Sequence, residues 1–162
     1  SRFHAKLGET FVMPDGKIQE ETMYIPGTDG AKMSKSKGNI INLFLPDKKL
    51  RKQIMTIETD STPLEEPKDT DTCNVFALYK LLGTKEQVEQ MMQNYAGGNY
   101  GYGHAKQALY ELIIEKFAAE RERFNHYMNN TDEIDAALKI GQEKATKTAN
   151  EVLKRVREKL GY

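Results

Sequence analysis

Lys32, Lys35 and Lys37, with the hydroxyls of Ser34 and Ser36 between them and Gly38 behind, crowd three ammonium groups into one short run. No acid stands between Asp29 and Asp47 to neutralise them. An unpaired ammonium costs several kcal/mol to dehydrate, so the run is expected to be a loop facing water. Positive charge, hydroxyl donors and free backbone N–H groups together suit a polyphosphate. Lysine suits a moving phosphate, because its charge sits on a flexible stem rather than on a planar fork. On charge alone the same run reads as a solvated basic turn.

The order of the residues goes further than their charge. Lys32-Met33-Ser34-Lys35-Ser36 resembles, residue for residue, the second signature motif of the class I aminoacyl-tRNA synthetases. Pro26-Gly27-Thr28-Asp29-Gly30 before it and Gly38-Asn39-Ile40-Ile41-Asn42-Leu43-Phe44 after it also match. Three later blocks are most similar to the tryptophanyl family: Asp71 to Tyr79, Gly101-Tyr102-Gly103-His104-Ala105-Lys106, and Val156 to Tyr162. The resemblance runs from about Phe3 to the end. The family's other signature, His-x-Gly-His, is missing, since the only histidines are His4, His104 and His126. The expectation is therefore a C-terminal part of a larger enzyme, inactive alone.

The resemblance implies an enzyme that joins tryptophan to tRNA(Trp) using ATP with Mg2+. Lys32 and Lys35 would stabilise the departing pyrophosphate, with Ser34 and Ser36 adding hydrogen bonds. Met33 would set its backbone against the adenine, and Met23 to Ile25 would form another wall of the ATP pocket. Gly27, Gly30 and Gly38 would be hinges of a closing loop. The parent would be a homodimer. A tyrosyl relative and a non-catalytic helical RNA-binding module are the alternatives.

Composition sets outer limits. Acids and bases cancel, at 24 each, which does not suit a protein that coats DNA. The charge is uneven all the same: residues 1–57 are basic and residues 58–72 carry six acids against one lysine. No apolar run approaches the roughly 20 residues of a membrane span. A single cysteine, Cys73, excludes an internal disulfide and suits a reducing compartment, so a cytoplasmic location is expected. No histidine has partners at ligand spacing, and no metal site is expected. His104, after a Gly-Tyr-Gly turn, reads as a structural helix-end residue.

The expected fold is mainly α. It is a helical bundle of the anticodon-binding type, preceded by a short piece of the Rossmann-type α/β core that bears the signature loop. Three segments follow: 1–57 as the end of that core, 58–71 as an acidic, proline-bearing connector, and 72–162 as the helical domain. Gly8 would cap a first helix, with Phe11-Val12-Met13 and Glu21 to Ile25 as short strands. Asp47 would cap a helix from Lys48 to about Thr56. Further helices are expected at Thr72–Leu82, from Thr84 through Tyr95 with a capping box at Thr84 and Gln87, and unbroken from Tyr102 to Met128. Val88, Met91, Met92 and Tyr95 would face inward on the second of these.

The last helix, Thr131 to Leu160, has the clearest period. Ile134, Leu138, Gly141, Ala145, Ala149, Val152, Val156 and Leu160 recur every three or four residues, the pattern of a core-facing stripe. Asn130 and Glu133 would form its capping box. Lys144, Lys147, Lys154, Arg155 and Arg157 fall off the stripe and are candidates for tRNA phosphate contacts.

Overall fold

The computed structural model describes residues 2–19 and 22–162, and among these every regular element is a helix. They are α1 (Arg2–Leu7), α2 (Asp47–Met55), α3 (Asn74–Leu82), α4 (Lys85–Ala96), α5 (Tyr102–Lys116), α6 (Ala118–Asn129) and α7 (Thr131–Leu160). The mainly α expectation holds. Contacts divide the chain into two compact units, Ile18–Phe124 and the first seventeen residues together with Asn125–Tyr162.

The larger unit has one core. Leu50 and Ile54, four apart on α2, are fully buried with Ile57 just beyond the helix. They join Val75 and Leu78 from α3, Met91 and Tyr95 from α4, and Ala105, Leu109 and Ile113 from α5. Each large aliphatic buried there contributes about 1.5–3 kcal/mol. Buried Cys73 sits at the N-cap of α3, its Sγ 3.3 Å from the hydroxyl of Tyr95.

Local signals explain most helix ends. Thr84 Oγ1 accepts from Gln87 N while Gln87 Oε1 accepts from Thr84 N, the expected reciprocal box opening α4. Met92 is 46 % exposed, because Met91 and Tyr95 already occupy the inward stripe and Met92 lies about 100° around from Met91. Pro46 takes the N-cap position of α2 in place of Asp47. Proline is pre-set for the approach to a helix, and Asp47 moves into the first turn and accepts from Arg121. α3 starts at Asn74 rather than Thr72. Asp69 holds the preceding residues in a turn by accepting from Asp71 N and Thr72 Oγ1, each at 2.9 Å.

The helix expected from Tyr102 to Met128 is two. Phe117 leaves helical geometry at φ −105°, ψ 19°, separating α5 from α6. Neither glycine nor proline marks the break. Arg121, one turn into α6, reaches back to accept-only groups: it donates to the carbonyls of Leu43 and Leu45 and to Asp47. Phe124 stacks on Phe44 with ring centroids 4.5 Å apart.

Residues 63–68 fold around a buried lysine. Lys68 is only 6 % exposed, and its ammonium donates to the carbonyls of Pro63, Leu64 and Glu66 while lying 5.8 Å from the centre of the Tyr102 ring. Its amide donates to Tyr95 O at 2.9 Å. Gly98, at φ +67°, has no room for a side chain, since an added Cβ would lie 2.3 Å from Glu65 O.

The short apolar runs do not form strands. Phe11 to Met13 is irregular and exposed, and so is the part of the second run from residue 22 onward, while Glu21 lies outside the described residues. Segments this short need neighbouring strands, and the described residues supply none. Among the described residues the one ladder contact is an isolated antiparallel bridge between Pro26 and Lys32.

In the smaller unit, Gly8 ends α1 at φ +77° with its N–H donating to His4 O, as expected for a C-cap. Phe11 packs edge-on against Phe3, and its amide donates to His4 Nε2. α7 buries no residue, so its stripe is not a core face. Leu138 is 65 % exposed and Leu160 48 %. Asn130 makes no side-chain cap. Its amide turns back to His126 O, and Glu133 takes the His126 ring instead. No described helix is long and apolar enough to cross a membrane.

Candidate functional site

The run of lysines and serines stands on a pinned base. Gly27 N donates to Ala31 O at 2.7 Å, Gly30 N to Gly27 O at 3.1 Å and Met33 N to Ile25 O at 2.9 Å, closing a tight turn over residues 27–31. Asp29 shapes that turn, accepting from Ala31 N at 3.0 Å, an Asx arrangement that mimics a backbone turn. Gly30 and Gly38 sit at φ +74° and +71°, where a side chain would be strained. The turn is tied to the rest of its unit. Glu58 N donates to Thr28 O at 2.7 Å, and Glu58 O accepts from the Asn74 amide at the start of α3.

Above that base the chemistry-bearing side chains emerge. Lys32, Lys35 and Lys37 are exposed, and none takes part in an ion pair among the described residues. Ser34 and Ser36 are brought together, their hydroxyl oxygens 2.8 Å apart. Gly38 N donates to Lys35 O at 3.2 Å and rounds off the second bend. Two hydroxyls and three unpaired ammonium groups thus share one short, glycine-bounded surface, the donor set that a chain of phosphates needs.

Met33 and Ile25 are also brought together, by the Met33 N to Ile25 O bond and by a shared apolar groove. The groove measures about 280 Å³ and is continued by Ile41, Leu43, Leu78 and Ile113. Met23 does not line it and is 64 % exposed. The five basic candidates of the last helix, Lys144, Lys147, Lys154, Arg155 and Arg157, are all exposed on α7. Lys154 approaches Glu158 at 4.0 Å, a surface pair of little energetic weight. No group of three or more His, Cys, Asp or Glu among the described residues is arranged to hold a metal.

One residue that the sequence reading left without a task is central. Asn39 is 4 % exposed and its side chain binds three points of the loop. Its amide nitrogen donates to Asp29 Oδ1 at 2.7 Å and to Lys32 O at 3.2 Å, and its oxygen accepts from Ser34 N at 2.7 Å. Gly27 is where the asparagine is seated: a Cβ there would lie 2.4 Å from Asn39 Nδ2. The available signal was a lone amide after Gly38, followed at once by Ile40 and Ile41. Hydrogen bonding by Asn39 is also the main reason the Asp29 carboxyl is held below its ordinary value, with Ala31 N–H and Lys37 adding to it.

Residues 1–118 match the family of class I tRNA synthetases for tryptophan and tyrosine. The chain belongs to that family. Among individual relatives it is similar to the tryptophan–tRNA ligase of Campylobacter jejuni strain RM1221, at 41 % identity over 95 % of this chain and 48 % of the relative. The corresponding ligase of Fusobacterium nucleatum is 40 % identical over 99 % of this chain and 49 % of the relative. That of Rhodopirellula baltica is 42 % identical over 98 % and 50 %. A crystal structure of the Campylobacter jejuni tryptophanyl-tRNA synthetase, complexed with ADP and tryptophan, superposes with a TM-score of 0.85 at 39 % identity. It is matched over 99 % of this chain and 50 % of that one. The chain thus spans about half the length of the relatives it matches.

Proposed function

We propose that this chain is the signature-loop half of an enzyme that activates tryptophan with ATP and transfers it to tRNA(Trp). A tryptophan carboxylate oxygen bonds to the α-phosphorus, the bond to the bridging oxygen breaks, and pyrophosphate leaves. A ribose hydroxyl of the tRNA then attacks the acyl carbon and AMP departs. What the first step requires of the protein is positive charge where negative charge grows, fixed in advance. The observation that carries this reading is the loop: Lys32 and Lys35, unpaired and exposed, project from a backbone held by the half-buried hydrogen bonds of Asn39.

In this reading Lys32 and Lys35 neutralise the leaving pyrophosphate, and Ser34 and Ser36 donate to its oxygens. The Met33 backbone and the Met23–Ile25 segment wall the adenine. Mg2+ enters with ATP as part of the substrate, and no step here depends on a protein-held ion. Residues 1–57 complete the catalytic core, 58–71 cross to the helical part, and 72–162 serve tRNA, with the α7 cations set against phosphates. The parent is a cytoplasmic homodimer. Every relative named above is a tryptophan ligase, which favours tryptophan over tyrosine.

The test is amino-acid-dependent exchange of pyrophosphate into ATP. The full-length protein should catalyse it with tryptophan and not with tyrosine, and the 162-residue chain should not catalyse it at all. Exchange with tyrosine would point to the tyrosyl relative. No exchange with any amino acid, but retained tRNA binding, would reduce the chain to an RNA-binding module.

A further inference from the structure

Three features converge on Asn39. It is buried in a loop whose lysines face water, its amide bonds on both sides within the loop, and a glycine is needed at 27 to admit it. Only one orientation of the amide satisfies these partners. Asp29 Oδ1 and Lys32 O can only accept, so Nδ2 must face them, and Ser34 N–H can only donate, so Oδ1 must face it. The bonds fall on both sides of Met33, fixing the peptide that precedes it and the amide that follows it. Asn39 also holds the turn through its own backbone, its carbonyl accepting from Thr28 N at 2.9 Å.

The geometry points to Asn39 as the positioning residue of the signature loop. Its side chain sets the backbone of Lys32–Ser34, so that the lysine ammonium groups and serine hydroxyls are presented from a fixed frame. It touches no reacting atom. Asp29 is the anchor on the other side, and the 2.7 Å contact between the two transmits the position of the 27–31 turn to the loop. This role rests on the proposed phosphate chemistry of the loop, since a frame has catalytic meaning only if the groups it carries act. Gly27, in this view, is glycine because Asn39 occupies the space of its side chain. Hinge freedom is not needed to explain it.

The chemistry makes the inference separable from mere stability. Asn39→Ala removes all three side-chain bonds. Asn39→Asp keeps the shape and the bond from Ser34 N–H. It loses both donations, though, and sets a second carboxylate 2.7 Å from that of Asp29.

The experiment measures tryptophan-dependent pyrophosphate exchange by the full-length protein and its Asn39→Ala and Asn39→Asp variants, each shown by circular dichroism to keep its helices. Amide hydrogen exchange at Ser34 is followed in the same proteins. Displacing the reacting groups should lower kcat about 10²-fold in the single variants, since misplacement of that order is what a loosened frame produces. KM for ATP should change by less than about threefold, and Ser34 should lose its protection in Asn39→Ala. Unchanged kcat with an unprotected Ser34 overturns the role, as does a loss confined to KM. If the unaltered protein shows no exchange, the proposed function fails and Ser34 protection alone reports on the frame. Protection unaffected by Asn39→Ala then overturns the frame as well.

Discussion

Arg121 Nη2 lies 2.6 Å from Asp47 Oδ1, joining α6 to the first turn of α2 across 74 residues of sequence. The two partners do not carry equal weight. The Arg121 side chain is 15 % exposed and also donates to the Leu43 and Leu45 carbonyls, whereas Asp47 is 66 % exposed. Leaving half-buried carbonyls without a donor costs about 1–3 kcal/mol, while losing an exposed carboxylate costs under about 1 kcal/mol. Arg121→Ala should therefore destabilise the chain much more than Asp47→Ala in urea titrations. Arg121→Lys should recover little, because a point ammonium does not reproduce the fork that sets Nη1 on Leu43 O and Nη2 on Leu45 O and Asp47. Equal losses from the two alanine variants would mean that the ion pair, not the carbonyl contacts, matters.

Lys68 holds the connector from inside. Its removal by Lys68→Met keeps the apolar stem and deletes the donor to three carbonyls. The expected loss is about 2 kcal/mol, from acceptors left unpaired in a partly buried turn. Proteolysis between residues 58 and 71 should speed up in parallel. A variant as stable and as resistant as the parent would show that the ammonium is replaceable by water.

Asp29 gives a pH test with a definite sign. Its folded pKa is lowered, first by Asn39, so its contribution is complete above the unfolded value of about 3.9 and is lost as pH falls through the lower folded value. The turn should hold unchanged from neutral pH to about pH 5 and loosen only in stronger acid. Asn39→Ala should raise the Asp29 titration toward the ordinary range. Carboxyl NMR shifts followed against pH give both values, and a titration at or above the ordinary value would contradict the network.

Hydrogen exchange should rank the elements by what they bury. α3 and α5 carry buried residues on successive turns and should exchange slowest, whereas α7 buries none and should exchange quickly in the isolated chain. Strong protection along Ile134 to Val156 would show that the α7 stripe has found a partner.

How much of this was legible depends on range. Capping pairs three residues apart, such as Thr84 with Gln87, and glycine stops such as Gly8 lie in the sequence as local chemistry. The five-residue lysine–serine motif carried the candidate site for the same reason. What escaped was set at a distance. Ile57 looked like the end of a segment, yet it is buried with α3 and α5 because the chain folds back there. The break at Phe117 has no breaker residue to announce it and follows from Arg121 reaching back to Leu43 and Leu45. The periodic stripe of α7 buries no residue: period shows which face is apolar, not what covers it. Asn39 was visible only as a neighbour of the motif, since its importance lies in bonds to residues five, seven and ten positions earlier.

The central claim is that the loop ammonium groups act on charge that develops during the reaction. The most direct measurement is steady-state pyrophosphate exchange by the full-length protein with Lys35→Ala. Deleting one preorganised charge should lower kcat about 10²-fold or more with little change in KM for ATP, the signature of an interaction made in the transition state. An unchanged kcat with a raised KM would contradict the account, for Lys35 would then hold ATP without helping pyrophosphate to leave.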